Sequence, residues 1–414
     1  MLRKGEGGRV VGAVSSDGRR VVYDYDEVGR LVGVVRPVGS RTYRWDEASL
    51  LAQVVDADGV VEVTNTFDQT GRVTTQRSPF GRTTRYSYLA GGVTATSDED
   101  GSRGNTWIHD RRGRLVGVVD AQGRRQSMGY DRWGNKVMVR TRDGQATACV
   151  FDERGRIVLR RLPSGARQAW EWDELDRLVS ATVTGADDGA GGAGVEAVTR
   201  FVYEGPARQP CRVVDPEGGV TRLLWGPGGL LARVVDPTGV GVDFAYDDFG
   251  ELVAVTNAEG AVARLERDAA GRVVAAVTPL GNRTEYRYDS DTGLLATRTD
   301  PTGGRWSFEY TAAGRMSARV DPMGGRTTVS WGQDGQVETT TDPLGRVVGQ
   351  WYDDLGNLAG MRLPDGSTWE LGYDALSHLT HVKDAAGGQW SISYGADGLV
   401  SATQDPTGVR RNVE

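Results

Sequence analysis

Few side chains in this 414-residue chain belong to the types that perform catalysis or bind metals. There are three histidines and two cysteines, and two groups of acidic residues offer the carboxylates that calcium sites and glycosidases use. No nucleophile–base motif, glycine-rich phosphate loop or zinc-ligand spacing accompanies them in the sequence. The candidates are His109, His378, His381, Cys149, Cys211, residues 98–100, and Glu171, Asp173, Glu174 and Asp176.

The positions of these side chains argue against roles in catalysis or metal binding. His378 and His381 lie three residues apart in a predicted strand, which places them on opposite faces. His109 replaces an aromatic residue of a repeat, and most of the acidic residues fall at turn positions of that repeat. Cys149 and Cys211 lie 62 residues apart with no motif around them, and we expect a buried free thiol at Cys149. The sequence therefore predicts no catalytic residue, no metal site and no cofactor, and a protein that is not an enzyme.

The repeat that positions these residues has a period of about twenty-one residues. A fixed period in this range indicates an array of one supersecondary unit, in which each unit buries its apolar face against its neighbours. We therefore predict one continuous array over residues 1–414, with about eighteen repeats, cut in mid-repeat at both ends. The anchor positions are Tyr25, Trp45, Phe67, Tyr88, His109, Tyr130, Phe151, Trp172, Tyr203, Trp225, Tyr246, Arg267, Tyr288, Tyr310, Trp331, Tyr352, Tyr373 and Tyr394.

Each repeat carries two turn signals. The first turn reads aromatic-Asp-x-x-Gly, in which Gly adopts the left-handed conformation and Asp accepts backbone hydrogen bonds. The second turn reads Asp-Pro-x-Gly, as at residues 215–218, because Pro presets φ for a type I turn and Gly suits its last position. Representative structural anchors of the first turn are Tyr25, Asp26 and Gly29; Phe67, Asp68 and Gly71; Tyr130, Asp131 and Gly134; Phe151, Asp152 and Gly155; Tyr246, Asp247 and Gly250; and Tyr352, Asp353 and Gly356.

The segments between the turns predict an all-β fold. Residues 306–310 and 390–394, for example, alternate large apolar side chains, which is typical of strands. Two strands in each repeat give about thirty-six strands in a long antiparallel meander of hairpins. Twisted open sheets rarely exceed about ten strands without curling, so we predict a ribbon coiled into a spiral, shell-like sheet. A β-propeller is the alternative, because two repeats match one four-stranded blade.

The charge and the distribution of apolar residues limit the kinds of partner that the chain can have. The net charge of −7 is spread evenly, which argues against a nucleic-acid surface, and no apolar run approaches the length of a membrane span. Residues 1–5 lack the apolar segment of a signal peptide. The one clear interruption of the repeat is residues 185–194, which we predict to be a glycine-rich inserted loop.

The repeat closely resembles that of the Rhs family, or YD-repeat proteins, which reads roughly aromatic-Asp-x-x-Gly-Arg-Leu. Residues 67–73 and 151–157 match it across the motif, and the resemblance covers essentially the whole chain. Relatives include bacterial polymorphic toxins, wall-associated proteins, shell-forming subunits of insecticidal toxin complexes and teneurins. The resemblance implies repeats wound into a hollow β-sheet shell, which in the toxin members encloses a C-terminal toxic domain.

The resemblance implies two alternative functions. The first is a non-enzymatic structural segment of an Rhs-type shell that encapsulates and helps deliver a C-terminal toxin domain absent from this chain. Its partners are the remainder of a longer Rhs polypeptide and its toxin cargo. The alternative is a cell-surface or wall-associated module that binds glycans. The family resemblance implies a secreted or cell-surface protein. Residues 405–409 are superficially similar to the self-cleavage sequence of the family, but they fall in register with the other second turns.

Overall fold

The structure of the chain is a computed structural model that describes residues 1–15, 17–98, 104–186, 195–395 and 398–413. These residues form 39 β-strands and no α-helix, and Glu6–Gly8 and Pro227–Gly229 form single turns of 3-10 helix. The described part of the chain contains no helix long and apolar enough to cross a membrane. Most of the predicted glycine-rich loop, residues 187–194, lies outside the described residues.

The strands are numbered β1 to β39 in chain order. The first thirteen are β1 (Leu2–Lys4), β2 (Val10–Val14), β3 (Arg20–Tyr25), β4 (Leu31–Val35), β5 (Arg41–Trp45), β6 (Leu51–Asp56), β7 (Val61–Phe67), β8 (Val73–Arg77), β9 (Thr83–Leu89), β10 (Val93–Asp98), β11 (Gly104–His109), β12 (Leu115–Val119) and β13 (Arg125–Tyr130). The next thirteen are β14 (Lys136–Arg140), β15 (Ala146–Phe151), β16 (Ile157–Arg161), β17 (Arg167–Trp172), β18 (Leu178–Thr184), β19 (Glu196–Val202), β20 (Arg212–Val214), β21 (Val220–Trp225), β22 (Leu231–Val235), β23 (Gly241–Tyr246), β24 (Leu252–Thr256), β25 (Val262–Arg267) and β26 (Val273–Val277). The last thirteen are β27 (Arg283–Tyr288), β28 (Leu295–Thr299), β29 (Arg305–Tyr310), β30 (Met316–Val320), β31 (Arg326–Trp331), β32 (Val337–Thr341), β33 (Val347–Tyr352), β34 (Leu358–Arg362), β35 (Thr368–Tyr373), β36 (Leu379–Lys383), β37 (Gln389–Tyr394), β38 (Val400–Gln404) and β39 (Arg410–Asn412).

Consecutive strands pair antiparallel, and the described strands belong to a single sheet. In the hairpin of β23 and β24, Tyr246 pairs with Leu252 after a one-residue register shift at Ala245. The same shift precedes the anchors Tyr25 and Tyr130, and it is the bulge expected of a type I turn closed by a left-handed glycine. The predicted all-β meander is confirmed. The β-propeller alternative, whose blades are separate sheets, is wrong.

The described strands outnumber the predicted thirty-six by three, since partial repeats at the two ends add β1, β2 and β39. The other 36 strands are the two arms of eighteen first-turn hairpins, beginning with β3 and β4 around Tyr25. The repeat register read from the sequence is therefore the register of the hairpins.

By their contacts the residues divide into two compact units. Unit 1 comprises Met1–Gly113, Val119–Arg124 and Thr284–Glu414, and unit 2 comprises Arg114–Val118 and Arg125–Arg283. Unit 2 is a succession of neighbouring hairpins, whereas unit 1 combines the first repeats of the chain with the last. That residues 1–414 form one continuous array stays a prediction.

Few apolar side chains are buried. In the described residues the buried hydrophobic ones are Val60, Ala275, Ala318 and Ala402, and no large side chain is fully buried. Many of the other apolar side chains are half-buried at alternating positions, as in β29, where Trp306, Phe308 and Tyr310 share one face. Apolar packing in each unit is therefore distributed along the strands, between cross-strand neighbours.

Within unit 1, early repeats contact late repeats. Arg19 donates a hydrogen bond to the carbonyl oxygen of Thr292, 273 residues later (3.4 Å), and Arg124 donates one to that of Gly395, 271 residues later (3.5 Å). In both cases a second turn of an early repeat meets a first turn of a late repeat. We call this set of contacts, between second turns of residues 15–124 and first turns of residues 288–395, the seam.

The polar part of the seam is centred on Asp58, in the second turn of residues 56–59. Its carboxylate accepts hydrogen bonds from Thr311 Oγ1 (2.7 Å) and the amide of Ala313 (2.9 Å), and it pairs with Arg315. Arg315 also pairs with Asp56, whose side chain is only 6% exposed. Because these charges are partly desolvated, removing one partner would leave the others without compensation.

The apolar part of the seam depends on glycine in the first turn. The ring of Phe80 lies so close to Gly356 that a Cβ there would stand 2.7 Å from it, and a Cβ at Gly314 would stand 2.9 Å from a methyl group of Val38. Phe80 and Val38 occupy the same third position of their second turns. Glycine is therefore needed at these first turns for two reasons, namely a positive φ and the close approach of the seam.

The seam predicts a difference between two glycine substitutions. Gly356 and Gly345 have similar φ values of 82° and 77°, but a Cβ at Gly345 would have nothing within 4 Å. Gly356→Ala is expected to lower the free energy of unfolding by about 1–3 kcal/mol more than Gly345→Ala, since only the former overpacks the Phe80 ring. Urea denaturation of the two variants measures this difference.

A double-mutant comparison distinguishes a clash between the Phe80 ring and the new Cβ at position 356 from a general loss of stability. Phe80→Ala is expected to reduce the extra loss caused by Gly356→Ala and to leave the effect of Gly345→Ala unchanged. Equal losses at Gly356 and Gly345 would show that the seam does not form in solution.

Candidate functional site

Two of the histidines take part in repeat packing, and the prediction that His378 and His381 lie in one strand is wrong, because His378 closes a first turn just before β36. His378 stacks on Tyr394 with ring centroids 4.7 Å apart, and its Nδ1 lies 3.1 Å from Asp374 Oδ2. His109 Nδ1 lies 3.2 Å from the carbonyl oxygen of Gly92. Among the described residues, no three His, Cys, Asp or Glu side chains are placed to hold a metal ion.

The two cysteines are free and half-buried. The expectation of a free thiol at Cys149 is confirmed, but its burial was predicted wrongly, because the residues on that face of β15, Thr147, Cys149 and Phe151, are only half-buried. Cys211 Sγ donates a hydrogen bond to the carbonyl oxygen of Val202 (3.3 Å). Neither thiol lies in an arrangement that indicates reactivity.

The acidic candidates act in turns and ion pairs. Asp173 Oδ1 accepts the amide hydrogens of Leu175 and Arg177, each at 2.9 Å, and so closes its own turn. Asp98 pairs with Arg82, and residues 99 and 100 lie outside the described residues. These carboxylates therefore accept hydrogen bonds within turns or pair with Arg, as turn-forming residues do.

In several first turns the Asp fixes both the turn and an Arg four residues later. In the repeat of Phe151, Asp152 Oδ1 accepts the amides of Arg154 and Arg156 at 2.9 Å each. Its Oδ2 accepts Arg156 Nε at 2.7 Å. One carboxylate thus satisfies backbone donors of the turn and sets the direction of the guanidinium.

That guanidinium lies over the anchor of the next repeat. Arg156 stands 5.7 Å from the ring centre of Trp172, and its Nη1 donates to the carbonyl oxygen of Asp173 at 3.1 Å. Trp172 Nε1 in turn donates to the carbonyl oxygen of Ile157 at 2.8 Å. We call this combination of the Asp–Arg pair, the covered ring and the ring's hydrogen bond to the preceding repeat the clasp.

The ring hydrogen bond of the clasp recurs along both units, and the complete clasp with its Asp–Arg pair forms at Trp45, Tyr88, Trp172 and Tyr203. The aromatic donor bonds a backbone carbonyl of the preceding repeat, usually fifteen residues earlier, at 2.8–3.1 Å. The pairs are Tyr25 with Val10, Trp45 with Leu31, Tyr88 with Val73, Tyr130 with Leu115, Tyr246 with Leu231, Tyr310 with Leu295, Trp331 with Met316, Tyr373 with Leu358 and Tyr394 with Leu379.

Where the anchor lacks a donor, another side chain can supply it. Phe67 has no polar group, and Asn65, two residues earlier on the same face of β7, donates to the carbonyl oxygen of Leu51 at 3.0 Å. At Arg267, the one cationic anchor, Nε lies 3.4 Å from the carbonyl oxygen of Leu252. The hydrogen bond between repeats is therefore retained at Phe67 and at Arg267, where the aromatic ring or its polar group is absent.

The predicted Asp and Gly residues of the first turns occupy equivalent positions in their own turns. The Asp side chains accept the amide hydrogen of the residue four positions later at 2.8–3.0 Å, and the glycines have φ between 79° and 102°. These residues are Asp26, Asp68, Asp131, Asp152, Asp247 and Asp353, and Gly29, Gly71, Gly134, Gly155, Gly250 and Gly356. The structure places them in the turns and clasps of successive repeats, not in a single pocket.

Three first turns keep the left-handed conformation without glycine. Ser49, Asp176 and Ser377 have φ of 64°, 62° and 64° at the position where most repeats have Gly. The preceding repeat contacts each of these side chains: Arg30 donates to Ser49 Oγ at 3.0 Å, and Arg156 donates to Asp176 Oδ1 at 2.7 Å. The neighbouring clasp therefore holds a backbone conformation that is unfavourable for these residue types.

Sequence reasoning identified the anchors as packing residues and missed the clasp. Two signals in the sequence could have revealed it. Arg recurs directly after the first-turn Gly, as at Arg72 and Arg156, and the anchors are Tyr or Trp far more often than Phe. A preference for aromatic residues with a donor indicates a hydrogen bond as well as packing.

The ring hydrogen bond of the clasp predicts that Tyr25→Phe destabilises the chain. The hydroxyl of Tyr25 donates to Val10 at 2.9 Å, so its removal is expected to lower the free energy of unfolding by about 0.5–1.5 kcal/mol. Tyr23, two residues earlier in β3, has no hydrogen-bond partner for its hydroxyl in the described residues. Tyr23→Phe is the matched control, and an equal effect of both substitutions on urea denaturation would contradict the clasp.

The turn carboxylates predict acid sensitivity. Hydrogen bonds from the Arg156 and Arg346 amides, followed by their guanidinium groups, hold the pKa of Asp152 and Asp342 below the ordinary value. A folded-state pKa below the unfolded one stabilises the fold above the unfolded value, about 4, and this contribution is lost as pH falls through the folded pKa. The midpoint of thermal unfolding is therefore expected to be level above about pH 5 and to decline below about pH 4.

The variant with both Asp152→Asn and Asp342→Asn tests the assignment. It is expected to be less stable than the unmodified chain near neutral pH and to show a shallower decline in acid. A decline of unchanged steepness would mean that other groups cause the acid sensitivity.

Comparison with known proteins agrees with this repeat geometry. The chain is similar to solved structures entitled TcdB2-TccC3-TEV and TcdB2-TccC3, with TM-scores of 0.60 and 0.59 and 14% sequence identity in each case. The matches cover 95% and 99% of this chain and 26% of each of those chains. The Photorhabdus luminescens Tc holotoxin pore matches with a TM-score of 0.56 at 14% identity, over 94% of this chain and 28% of that one.

The chain therefore spans about a quarter of the length of these structural relatives, and the likeness establishes its fold. No curated protein matches its sequence. The family model described as RHS Repeat matches residues 25–61, 109–146, 227–262, 246–283, 288–325 and 352–389, which together make up half of the chain. The matched ranges contain turns and clasps described above, and the chain belongs to the RHS repeat family.

Proposed function

We propose that this chain is a non-enzymatic structural segment of an RHS-type shell that encapsulates and helps deliver a toxin domain. The remainder of a longer polypeptide and its toxin cargo are its partners, and the assembly acts outside the cell that makes it. The similarity to Tc toxin structures supports this function, because this chain shares the fold of a quarter of those chains.

The observation that carries the proposal is the seam. In unit 1 the meander meets itself edge to edge after 271–273 residues, through turns that point out of opposite edges of the sheet. A ribbon joined to itself in this way can separate one of its faces from solvent. Catalysis has no comparable support, since the candidate histidines and carboxylates serve packing and turns.

A second candidate function is glycan binding at a cell surface. One observation favours it: Trp133, at the tip of a first turn in unit 2, is 64% exposed. Arg132 lies 3.9 Å over its ring centre, which orders the ring as a flat platform. An exposed ring at one turn tip is weaker support than the repeated seam contacts.

Protease protection tests the shell. In the complete gene product, the domain that follows the repeats is expected to resist added protease while the repeats are folded, because the ribbon would exclude the protease. The same domain expressed alone is expected to be digested. Mass spectrometry of timed digests measures the two rates.

An accessible site in the repeats provides the control. A protease recognition sequence inserted beside Phe249, which is 90% exposed at a first-turn tip, should be cut rapidly in the folded protein. Digestion of the following domain at the same rate in the complete product and in isolation would contradict encapsulation.

A further inference from the structure

One face of the sheet in unit 2 gathers arginines. On the strands β13 to β21 this face lies opposite the anchor side chains, and strand alternation places every second residue on it. The net charge of −7 is spread evenly along the sequence, but this face carries seven exposed arginines and only two glutamates. We call it the arginine face. Its charged residues are Arg125, Arg140, Arg161, Arg167, Arg200, Arg212 and Arg222, with Glu171 and Glu196.

The strand register places four of these arginines in two pairs. Arg161 lies directly opposite Arg167, and Arg212 lies directly opposite Arg222. The Cβ atoms of directly opposite residues are about 5 Å apart, and like charges at such positions are destabilising. Four strand spacings, about 19 Å, separate the two arginine pairs. The fold therefore concentrates positive charge at two places on one face.

The arginine face lacks the counter-charges that the neighbouring strands have. Within the described residues, none of its seven arginines forms an ion pair with a carboxylate. On later strands of the same side of unit 2, Arg233 pairs with Asp243 at 2.9 Å, and Arg283 pairs with Glu266 at 2.6 Å. A partner that brings negative charge would remove the repulsion within the arginine pairs.

The side chains beside the arginines indicate the class of partner. Met138, Val150 and Leu224 lie on the arginine face and are 37%, 50% and 49% exposed. These aliphatic side chains suit the apolar side chains of a polypeptide, and arginine binds carboxylates in a bidentate manner. Single-stranded nucleic acids bind through aromatic side chains that stack on bases, and the described strands β13 to β21 present no aromatic ring on this face.

We propose that the arginine face binds an acidic polypeptide segment. Carboxylates of the segment lie at the two arginine pairs, and apolar residues between them contact the aliphatic side chains. The face extends about 40 Å over nine strands, and an extended chain advances about 3.3 Å per residue, so a segment of about twelve residues spans it.

The segment belongs to the remainder of the longer polypeptide, and this choice of source rests on the proposed function. Each exposed arginine–carboxylate pair raises the affinity about fivefold at most, so a free segment would bind weakly. A tethered segment has an effective concentration on the order of millimolar, at which weak pairs suffice. The structural relatives are about four times as long as this chain, which leaves ample polypeptide for such a segment.

Peptide binding tests the arginine face. Fluorescence anisotropy of a labelled twelve-residue peptide of alternating Glu and Val, added to the 414-residue chain at low salt, is expected to show saturable binding. The double variant Arg161→Glu and Arg212→Glu is expected to raise the dissociation constant about tenfold or more, because it reverses one charge in each arginine pair. The matched control is Arg264→Glu and Arg305→Glu, which reverses two exposed arginines outside the face and is expected to bind like the unmodified chain.

Thermal unfolding of the same double variant distinguishes lost binding from lost folding. Each introduced glutamate lies directly opposite an arginine, so the midpoint of thermal unfolding is expected to stay level or to rise. A midpoint lower than that of the control variant would contradict the arginine pairs on which the proposal depends.

Carbodiimide cross-linking of the complete gene product tests the source of the segment. Arg161→Lys and Arg212→Lys keep the charge and supply amines that the reagent joins to nearby carboxylates. Mass spectrometry is expected to find these positions linked to acidic residues outside the RHS repeats. Protease protection without such links would retain the shell and reject this contact, whereas such links without protection would retain the contact and reject the shell.

Three results would overturn the proposal. The first is a peptide that does not bind at low salt. The second is a dissociation constant that changes equally in the double variant and in its control. The third is tighter binding of single-stranded DNA or of phosphatidylserine vesicles than of the peptide at the same salt concentration, which would assign the face to a phosphate-bearing partner.

Discussion

The clasp is the interaction on which the rest of the structure depends. A hairpin of two short strands is marginally stable in water, so each repeat needs its neighbours. In the repeat of Phe151, the carboxylate of Asp152 closes the turn and holds Arg156, and Arg156 covers the ring of Trp172. The indole N–H of Trp172 then donates a hydrogen bond back to the repeat of Phe151. Turn formation and the joining of repeats are therefore one set of contacts.

The clasp and the seam differ in range. Clasps join residues about fifteen positions apart, so the array resembles other repeat proteins, in which each unit contacts its nearest neighbours. The seam joins residues about 250–280 positions apart in unit 1, through Asp58 and Arg315 on its polar side and Phe80 on its apolar side. Such contacts require the closure of a long loop and depend on the intervening repeats being formed.

Particular residues show where sequence reasoning succeeded and where it stopped. The turns of Asp26 and Gly29, and the strands on either side of them, follow from local rules and have the expected register. Ser49 keeps the same turn without glycine because Arg30 of the preceding repeat holds it. Asn65 supplies the hydrogen bond that Phe67 lacks. Compensations of this kind involve two repeats at once, and a motif read one repeat at a time does not contain them.

The sequence by itself determined the hairpins, their register and the all-β meander, because turn chemistry acts within about five residues and strand alternation within about six. The tertiary structure decided which repeats meet across the seam, and with it why Phe80 is half-buried while Leu344 is exposed at the same motif position. The physical reason is that twist accumulates along the sheet. Each strand adds a small twist, and the partner of a given turn is set by the sum over all the intervening strands. No single position encodes that sum.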